Sequence, residues 1–265
     1  MKKSWRKIAL IAVIVVCAGV LVFNAVILVR WFIDKDRIAA EIKDVGEITK
    51  IESKEAEPEL ANPPSNKDSD YWYYVGLPFN DVDLARLKNT NSDTVGFISV
   101  AGTNINYPVV KASDNDYYLT HSFKKQKNQA GWVFMDYRNN VAMTDKNTVI
   151  YGHGRLESTM FGSLKNILKT SWINKKENYV VRYTNETEMM LFQVFSIYTV
   201  PSESYYIQTS FGSDYQEWLN AMIGRSQHNF NTSVDTGDQI LTLSTCYNDN
   251  LRVVLQAKLI KKASR

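Results

Sequence analysis

The chain has 265 residues, 45% of them hydrophobic and 12% aromatic. That composition supports a packed core and excludes a disordered chain, which lacks the apolar surface to offset its ordering entropy. The net charge is only +3, with 31 Lys and Arg scattered among 28 Asp and Glu, so no concentrated basic face points to nucleic acid as a partner.

From the N-terminus, Lys2, Lys3, Arg6 and Lys7 precede a run over 8–29 that holds no charge and one strongly polar residue, Asn24. A helix of about 20 apolar residues crosses a bilayer, and Trp31 and Phe32 follow where aromatic rings sit at an interface. Four basic residues precede the run and three (Arg30, Lys35, Arg37) follow it. The expectation is a single-pass anchor over 8–33 in contact with membrane lipid. The 1–7 stretch would be cytoplasmic and the body extracytoplasmic. The run is too long for the core of a cleaved signal peptide and ends in no small-residue cleavage site. Val16 stands before Cys17 where a lipidation site would need a small residue. Cys246 is the one other cysteine, and a disulfide to a residue inside the span is not expected, so Cys246 is read as a free thiol.

Residues 34–50 place Ile38, Ile42 and Val45 at helical spacing, a juxtamembrane helix. The 52–70 stretch is charged and holds Pro58, Pro63 and Pro64, which reads as a linker. One domain should occupy 71–265. β-Branched and aromatic runs between turn residues predict strands over 96–100, 107–111, 131–135, 148–152, 179–183, 189–198, 239–244 and 252–261. Helices are predicted over 159–168 and 214–227, the second from the stripe Tyr215, Trp218, Leu219, Met222 and Ile223. Eight short strands with few helices imply a mainly β fold, an eight-stranded closed or nearly closed β-barrel with peripheral helices.

The hairpin over 239–261 is where chemistry is expected. Cys246 ends its first strand and Arg252 opens its second, and directly opposed residues have Cβ atoms about 5 Å apart. A thiol with a pKa of about 8.5 is a weak nucleophile at neutral pH, and a guanidinium beside it stabilises a thiolate or an oxyanion. Acyl transfer also needs a proton carrier. His153, at the exit of the 148–152 strand and before Gly154, is the best placed; His121 lies near a short helix, and His228 would cap the 214–227 helix. Spacing alone leaves simpler readings open, since a cysteine at a strand end is often a small apolar residue and an arginine there a surface charge. No paired Cys or His spacing points to a metal, and no Walker A, G-x-S-x-G or G-x-G-x-x-G signature is present.

The segment Thr242-Leu243-Ser244-Thr245-Cys246, followed by Arg252, resembles the T-L-x-T-C … R signature of sortases, and Tyr151-Gly152-His153 resembles their histidine motif. The order and the roughly ninety residues from His153 to Cys246 fit as well. Phe134-Met135-Asp136-Tyr137-Arg138-Asn139 is similar to the F-M-D-Y-R-N run of class B, as are the segments around Phe97, Pro108 and Tyr118. Class B members also carry a long helix between the sixth and seventh strands, where 214–227 falls. The resemblance covers about 71 to the end. It implies a sortase-type barrel and a cysteine transpeptidase with Cys246 as nucleophile, His153 as proton carrier and Arg252 as substrate and oxyanion holder. A secreted protein bearing a sorting motif would be cleaved at a threonine, and its acyl group passed to a cell-wall peptide amine, or less often to a pilin lysine. No metal or organic cofactor is implied. The resemblance further implies substrate contacts from Asn115 and Leu119, from Ser202, Tyr206 and Ile207, and from Ser244 and Thr245. The loop from Cys246 to Arg252 is shorter than in some class B members, which leaves the role of Asp249 open. Two other readings remain: a cell-wall cysteine hydrolase with the same residues, and a non-catalytic tethered binding module in which Cys246 is inert.

Overall fold

The structure, a computed structural model, describes residues 2–64, 69–246 and 250–265, with the side chains of residues 2–4, 6, 69 and 246 outside the description. Its strands are β1 (Ile51–Lys54), β2 (Glu59–Leu60), β3 (Phe79–Val82), β4 (Thr94–Val100), β5 (Asn106–Val110), β6 (Phe134–Met135), β7 (Asn147–Tyr151), β8 (Val180–Thr184), β9 (Glu188–Pro201), β10 (Ile240–Cys246) and β11 (Leu251–Ser264). Its helices are α1 (Lys2–Ile48), α2 (Ser69–Val75), α3 (Leu84–Thr90), α4 (Thr170–Ile173) and α5 (Tyr215–Gly224).

Eight strands pair in the order β10-β7-β6-β5-β4-β8-β9-β11, and β11 pairs back to β10 to close the barrel. The closure removes open edges, which is how small β domains avoid edge-to-edge association. Leu241, Leu243, Val253, Leu255 and Ala257 point into the interior. Ile240 and Val254, on the other face of the same strands, form a second core with Trp218, Leu219 and Met222 of α5. Both faces of β10 are therefore buried, and Thr242 and Ser244 on the outer face lie as deep as Leu241 and Leu243 on the inner one.

Each predicted barrel strand is present, with differences that have physical causes. The 131–135 strand shortens to β6 because Gly131 has φ +57 and its N–H closes a turn onto the Asn128 carbonyl. The helix expected over 159–168 is a 3₁₀ segment over Gly162–Leu168 followed by α4. Ser158 and Met160 take positive φ, and Met160 bridges to Gly154, so no α-helix can start there. The 214–227 helix stops at Gly224, and Ile223 is 40% exposed. At about 100° per residue it lies roughly a third of a turn from the stripe centred on Trp218 and Met222.

The N-terminal part is more closely joined to the body than its sequence suggests. The juxtamembrane helix is continuous with the apolar run as α1, and Ile38 and Val45 are buried against the body. In the 52–70 stretch expected as a linker, β1 pairs antiparallel with β3, and β2 adds to the part of β11 beyond its pairing with β10. Within α1 the segment from Lys7 holds a stretch long and apolar enough to cross a membrane, and none of that stretch is buried.

Ile38 is fully buried, so in a chain starting at Asp34 the change Ile38→Ala should lower unfolding stability by about 2–4 kcal/mol, the usual cost of a large core truncation. Urea denaturation followed by tryptophan fluorescence measures it. An unchanged midpoint would mean that α1 does not pack on the body in solution.

Candidate active site

Three neighbouring strands bring the chemistry-bearing residues to one rim. β10 and β11 are antiparallel, with Cys246 directly opposite Arg252. β10 and β7 are parallel, with Ser244 opposite Tyr151, and the Gly152 N–H reaches the Ser244 carbonyl at 3.4 Å. His153 lies two residues beyond Tyr151, and Cys246 two beyond Ser244. The backbones of His153, Cys246 and Arg252 therefore leave the barrel side by side, on strands spaced about 4.8 Å apart.

A cleft of about 320 Å³ opens at this rim, lined by both His153 and Arg252. Ser244 and Thr245 of β10 line it beside Tyr151. Asn115 and Leu119 contribute from the 3₁₀ turn over Tyr117–Leu119 and its approach, and Ser202, Tyr206 and Ile207 from the chain leaving β9. The side chains that the resemblance implies as catalytic or substrate-contacting, apart from that of Cys246, thus border one space. Asp249 lies outside the described residues. His121 stacks on Tyr117 with ring centroids 4.1 Å apart, and His228 packs against Phe230 and Tyr179. Neither of these histidines lines the cleft.

His153 is held from behind. Its Nε2 lies 2.8 Å from the Leu119 carbonyl, an atom that only accepts, so Nε2 carries a proton and Nδ1 is left to exchange one. The ring rests on Gly131, where a Cβ would come within 2.9 Å of its Cδ2. Gly152 likewise admits the Phe161 ring, 2.7 Å from where a Cβ would stand. Arg252 donates from Nη1 to the Leu251 carbonyl at 3.4 Å. The Thr245 hydroxyl is buried with no hydrogen-bond partner among the described residues.

Beneath the cleft lies a polar network that sequence reasoning missed. Asp136 is fully buried and accepts from the backbone N–H, Nε and Nη2 of Arg138 at 2.7–2.9 Å. It also accepts from the Tyr151 hydroxyl at 2.8 Å and from Asn115 Nδ2 at 3.1 Å. Arg138 in turn donates to the Ile207 carbonyl at 2.9 Å. Asn147 donates to the Gln208 carbonyl at 2.9 Å, and Tyr206 meets Ser244 at 2.9 Å. Asp136 and Arg138 thereby tie both lining stretches to the barrel wall. Burial works to raise the Asp136 carboxyl, but the Arg138 hydrogen bonds and charge outweigh it and hold the carboxyl below its ordinary value. Tyr151 is pushed upward, first by burial and then by the neighbouring carboxylate. The available sequence signal is the charged D-x-R inside the F-M-D-Y-R-N run.

No group of three or more His, Cys, Asp or Glu able to hold a metal occurs among the described residues. What the rim assembles is a histidine, a cysteine position and an arginine at the mouth of one cleft, carried on a closed barrel.

Comparison with known proteins agrees with the resemblance seen in the sequence. The Sortase domain family model matches residues 98–260. Sortase B of Listeria monocytogenes is 34% identical over 186 residues, 68% of this chain and 75% of that protein. A Bacillus anthracis protein described as similar to sortase B superposes with a TM-score of 0.67 at 34% identity, covering 87% of this chain and 97% of that one. The Staphylococcus aureus sortase B–substrate complex gives a TM-score of 0.62 at 36% identity, covering 67% and 84%. The chain belongs to the sortase family, on the class B side, and its family role is that of a sortase transpeptidase.

Asp136→Asn should cost about 2 kcal/mol at pH 7, less than the roughly 3–5 kcal/mol of a fully buried broken pair, because Arg138 is partly exposed. The carboxyl is depressed on folding, so its contribution is complete above the unfolded value of about 3.9 and is lost as pH falls through the lower folded value. The gap between wild type and variant, measured by chemical denaturation, should therefore narrow below about pH 4. A gap that stays constant to lower pH would remove Asp136 as its source.

Proposed function

We propose that this chain is a membrane-anchored transpeptidase. It would cleave a C-terminal sorting motif of secreted proteins at a threonine and transfer the acyl group to a cell-wall peptide amine. The observation that carries the reading is the alignment of His153, Cys246 and Arg252 on three adjacent strands at the mouth of one cleft. The layout proposed with it is a cytoplasmic 1–7, an anchor over 8–33, a juxtamembrane segment to 70 and a catalytic unit over 71–265, with the body extracytoplasmic.

The Cys246 thiol passes its proton to His153 Nδ1, and the resulting thiolate attacks the threonine carbonyl, whose electron pair moves onto oxygen. The Arg252 guanidinium stabilises that oxyanion, a charge that the low-dielectric cleft makes costly to leave bare. Collapse expels the C-terminal fragment as an amine, which takes a proton from His153 Nδ1, and a thioester remains on Cys246. An incoming amine then attacks the thioester carbonyl, gives its proton to His153 and displaces the sulfur. The microscopic steps are symmetric, so one histidine serves as acid and then as base. The substrate backbone would lie between Asn115 and Leu119 on one stretch of wall and Ser202, Tyr206 and Ile207 on another. Ser244 and the unpaired Thr245 hydroxyl would offer hydrogen bonds near the scissile carbonyl. The S. aureus relative was solved with a substrate, which supports a peptide in this cleft.

The test is a panel of fluorogenic peptides carrying N-P-x-T-N, L-P-x-T-G and S-P-x-T-G motifs, with and without an amine acceptor. Cys246→Ala should lower cleavage by about 10³-fold or more, His153→Ala by about 10²–10⁴-fold, and Arg252→Ala by about 10²–10³-fold. An amine-dependent ligated product identifies the transpeptidase. Cleavage without ligation under any amine would replace this reading with a hydrolase. No cleavage, with Cys246 inert toward an alkylating reagent, would replace it with a binding module.

A further inference from the structure

A second cavity, of about 640 Å³, lies where α1 meets the body. Its α1 side carries Ile27, Arg30, Trp31 and Arg37, which recur at i, i+3, i+4 and i+10 and so share one helix face. Its body side carries Lys127 and Arg155. Four cations therefore converge on one space, against the carboxylate of Asp34 on the same wall and Glu157, which accepts from Arg155 Nε at 2.7 Å. Even with Arg155 offset by Glu157 and one further charge by Asp34, an excess of positive charge remains. The Nη2 of Arg155 is buried with no hydrogen-bond partner among the described residues, and a buried donor left without an acceptor is costly unless something meets it.

The position of the cavity indicates what it holds. The uncharged run ends at Val29, so Arg30 and Trp31 stand at its boundary, where headgroups lie if the run fills a bilayer. Ile27 is 51% exposed within the run and gives the cavity an apolar side facing acyl chains. Cations on one flank, an aromatic ring at the boundary and apolar side chains beneath match a phosphate-bearing lipid, with the diester against the arginines and the chains along α1.

We propose that this junction cavity binds the phosphate headgroup of an anionic membrane lipid and so docks the body on the leaflet surface. The proposal rests on α1 acting as a membrane anchor. Arg155 lies two residues from His153, so the docked lipid would hold the cleft near the bilayer surface.

The test uses the full chain in nanodiscs of phosphatidylglycerol and phosphatidylcholine, with retained lipid counted by native mass spectrometry. Wild type should retain phosphatidylglycerol in preference. The double variant Arg37→Gln with Lys127→Gln should lose that retention by about thirtyfold, since each surface cation contributes roughly 1 kcal/mol toward anionic lipid. Both residues lie outside the catalytic cleft, so cleavage of a soluble peptide should be unchanged in the variant. Equal retention of the two lipids by wild type, or undiminished retention by the double variant, would overturn the proposal. Displacement of the lipid from detergent-solubilised protein by millimolar inorganic phosphate would support a site that reads the phosphate itself. Carbonate extraction separates the two levels of failure: release of the chain from membranes would overturn the anchor, and retention without lipid preference would overturn the lipid site alone.

Discussion

The parallel ladder between β7 and β10 is the constraint on which the rest of the cleft depends. Parallel strands cannot be joined by a tight turn, so the 88 residues from 152 to 239 have to cross from one to the other, and that excursion supplies β8, β9 and α5. What it achieves is that both strands leave the barrel at the same rim. Were they antiparallel, the residues after Tyr151 and after Ser244 would emerge at opposite ends, about 20 Å apart for strands of this length. The antiparallel return of β11 then adds Arg252 on the other side of Cys246. The three groups are thus aligned by strand direction before any side-chain contact is considered.

Register in that ladder is fixed by what each face must bury. Leu241 and Leu243 enter the barrel interior, and Thr242 and Ser244 face the other way, buried under the chain that connects β9 to α5. A slip of one residue would exchange hydroxyls for leucines across the wall. The hydroxyls are fully occupied where they are. Thr242 donates to Asn147 at 2.7 Å and accepts from Gln256 at 3.1 Å, Gln256 accepts from Tyr198 at 3.3 Å, and Ser244 meets Tyr206. In a low-dielectric setting, unmaking any of these leaves an expensive orphan, so the polar face selects the register as firmly as the apolar one. The Asp136–Arg138 pair extends the same logic outward, linking the wall to the lining stretches that carry Asn115 and Ile207.

The barrel was legible because its information is local. Alternating or continuous apolar runs, turn residues between them and a short Cys-to-Arg hairpin are each contained in a dozen residues, and all eight strands follow from them. The histidine, cysteine and arginine stood out because each stands at or just beyond the end of a strand. The supporting network was not legible, since its bonds span the chain: Arg138 and Ile207 are 69 residues apart, and Thr242 and Asn147 are 95. Nothing in the local pattern of a D-x-R turn says which distant carbonyl the guanidinium will meet. The 52–70 stretch failed for a related reason. With few large apolar residues it reads as a linker, but β11 is 14 residues long and pairs with β10 only through Lys258, which leaves a free edge that β2 fills.

The manner in which α1 joins the body bears on what the cleft can reach. A helix of 47 residues is about 70 Å long, of which the uncharged run takes about 33 Å. The remainder does not behave as a loose tether. Ile38 and Val45 are buried, the Lys124 N–H donates to Glu41 at 2.6 Å, and Asn128 donates to the Asp34 carbonyl at 3.2 Å. The segment contacting α1 continues directly into Gly131, on which the His153 ring rests. The first of these body contacts falls little more than one helical turn after the uncharged run ends. A chain that crosses a bilayer through that run therefore carries its body beside the helix and close to the surface, with no hinge between them. A flexible linker would let the cleft sweep a wide radius at low local concentration. A rigid junction instead restricts the cleft to partners presented at a fixed height above that surface.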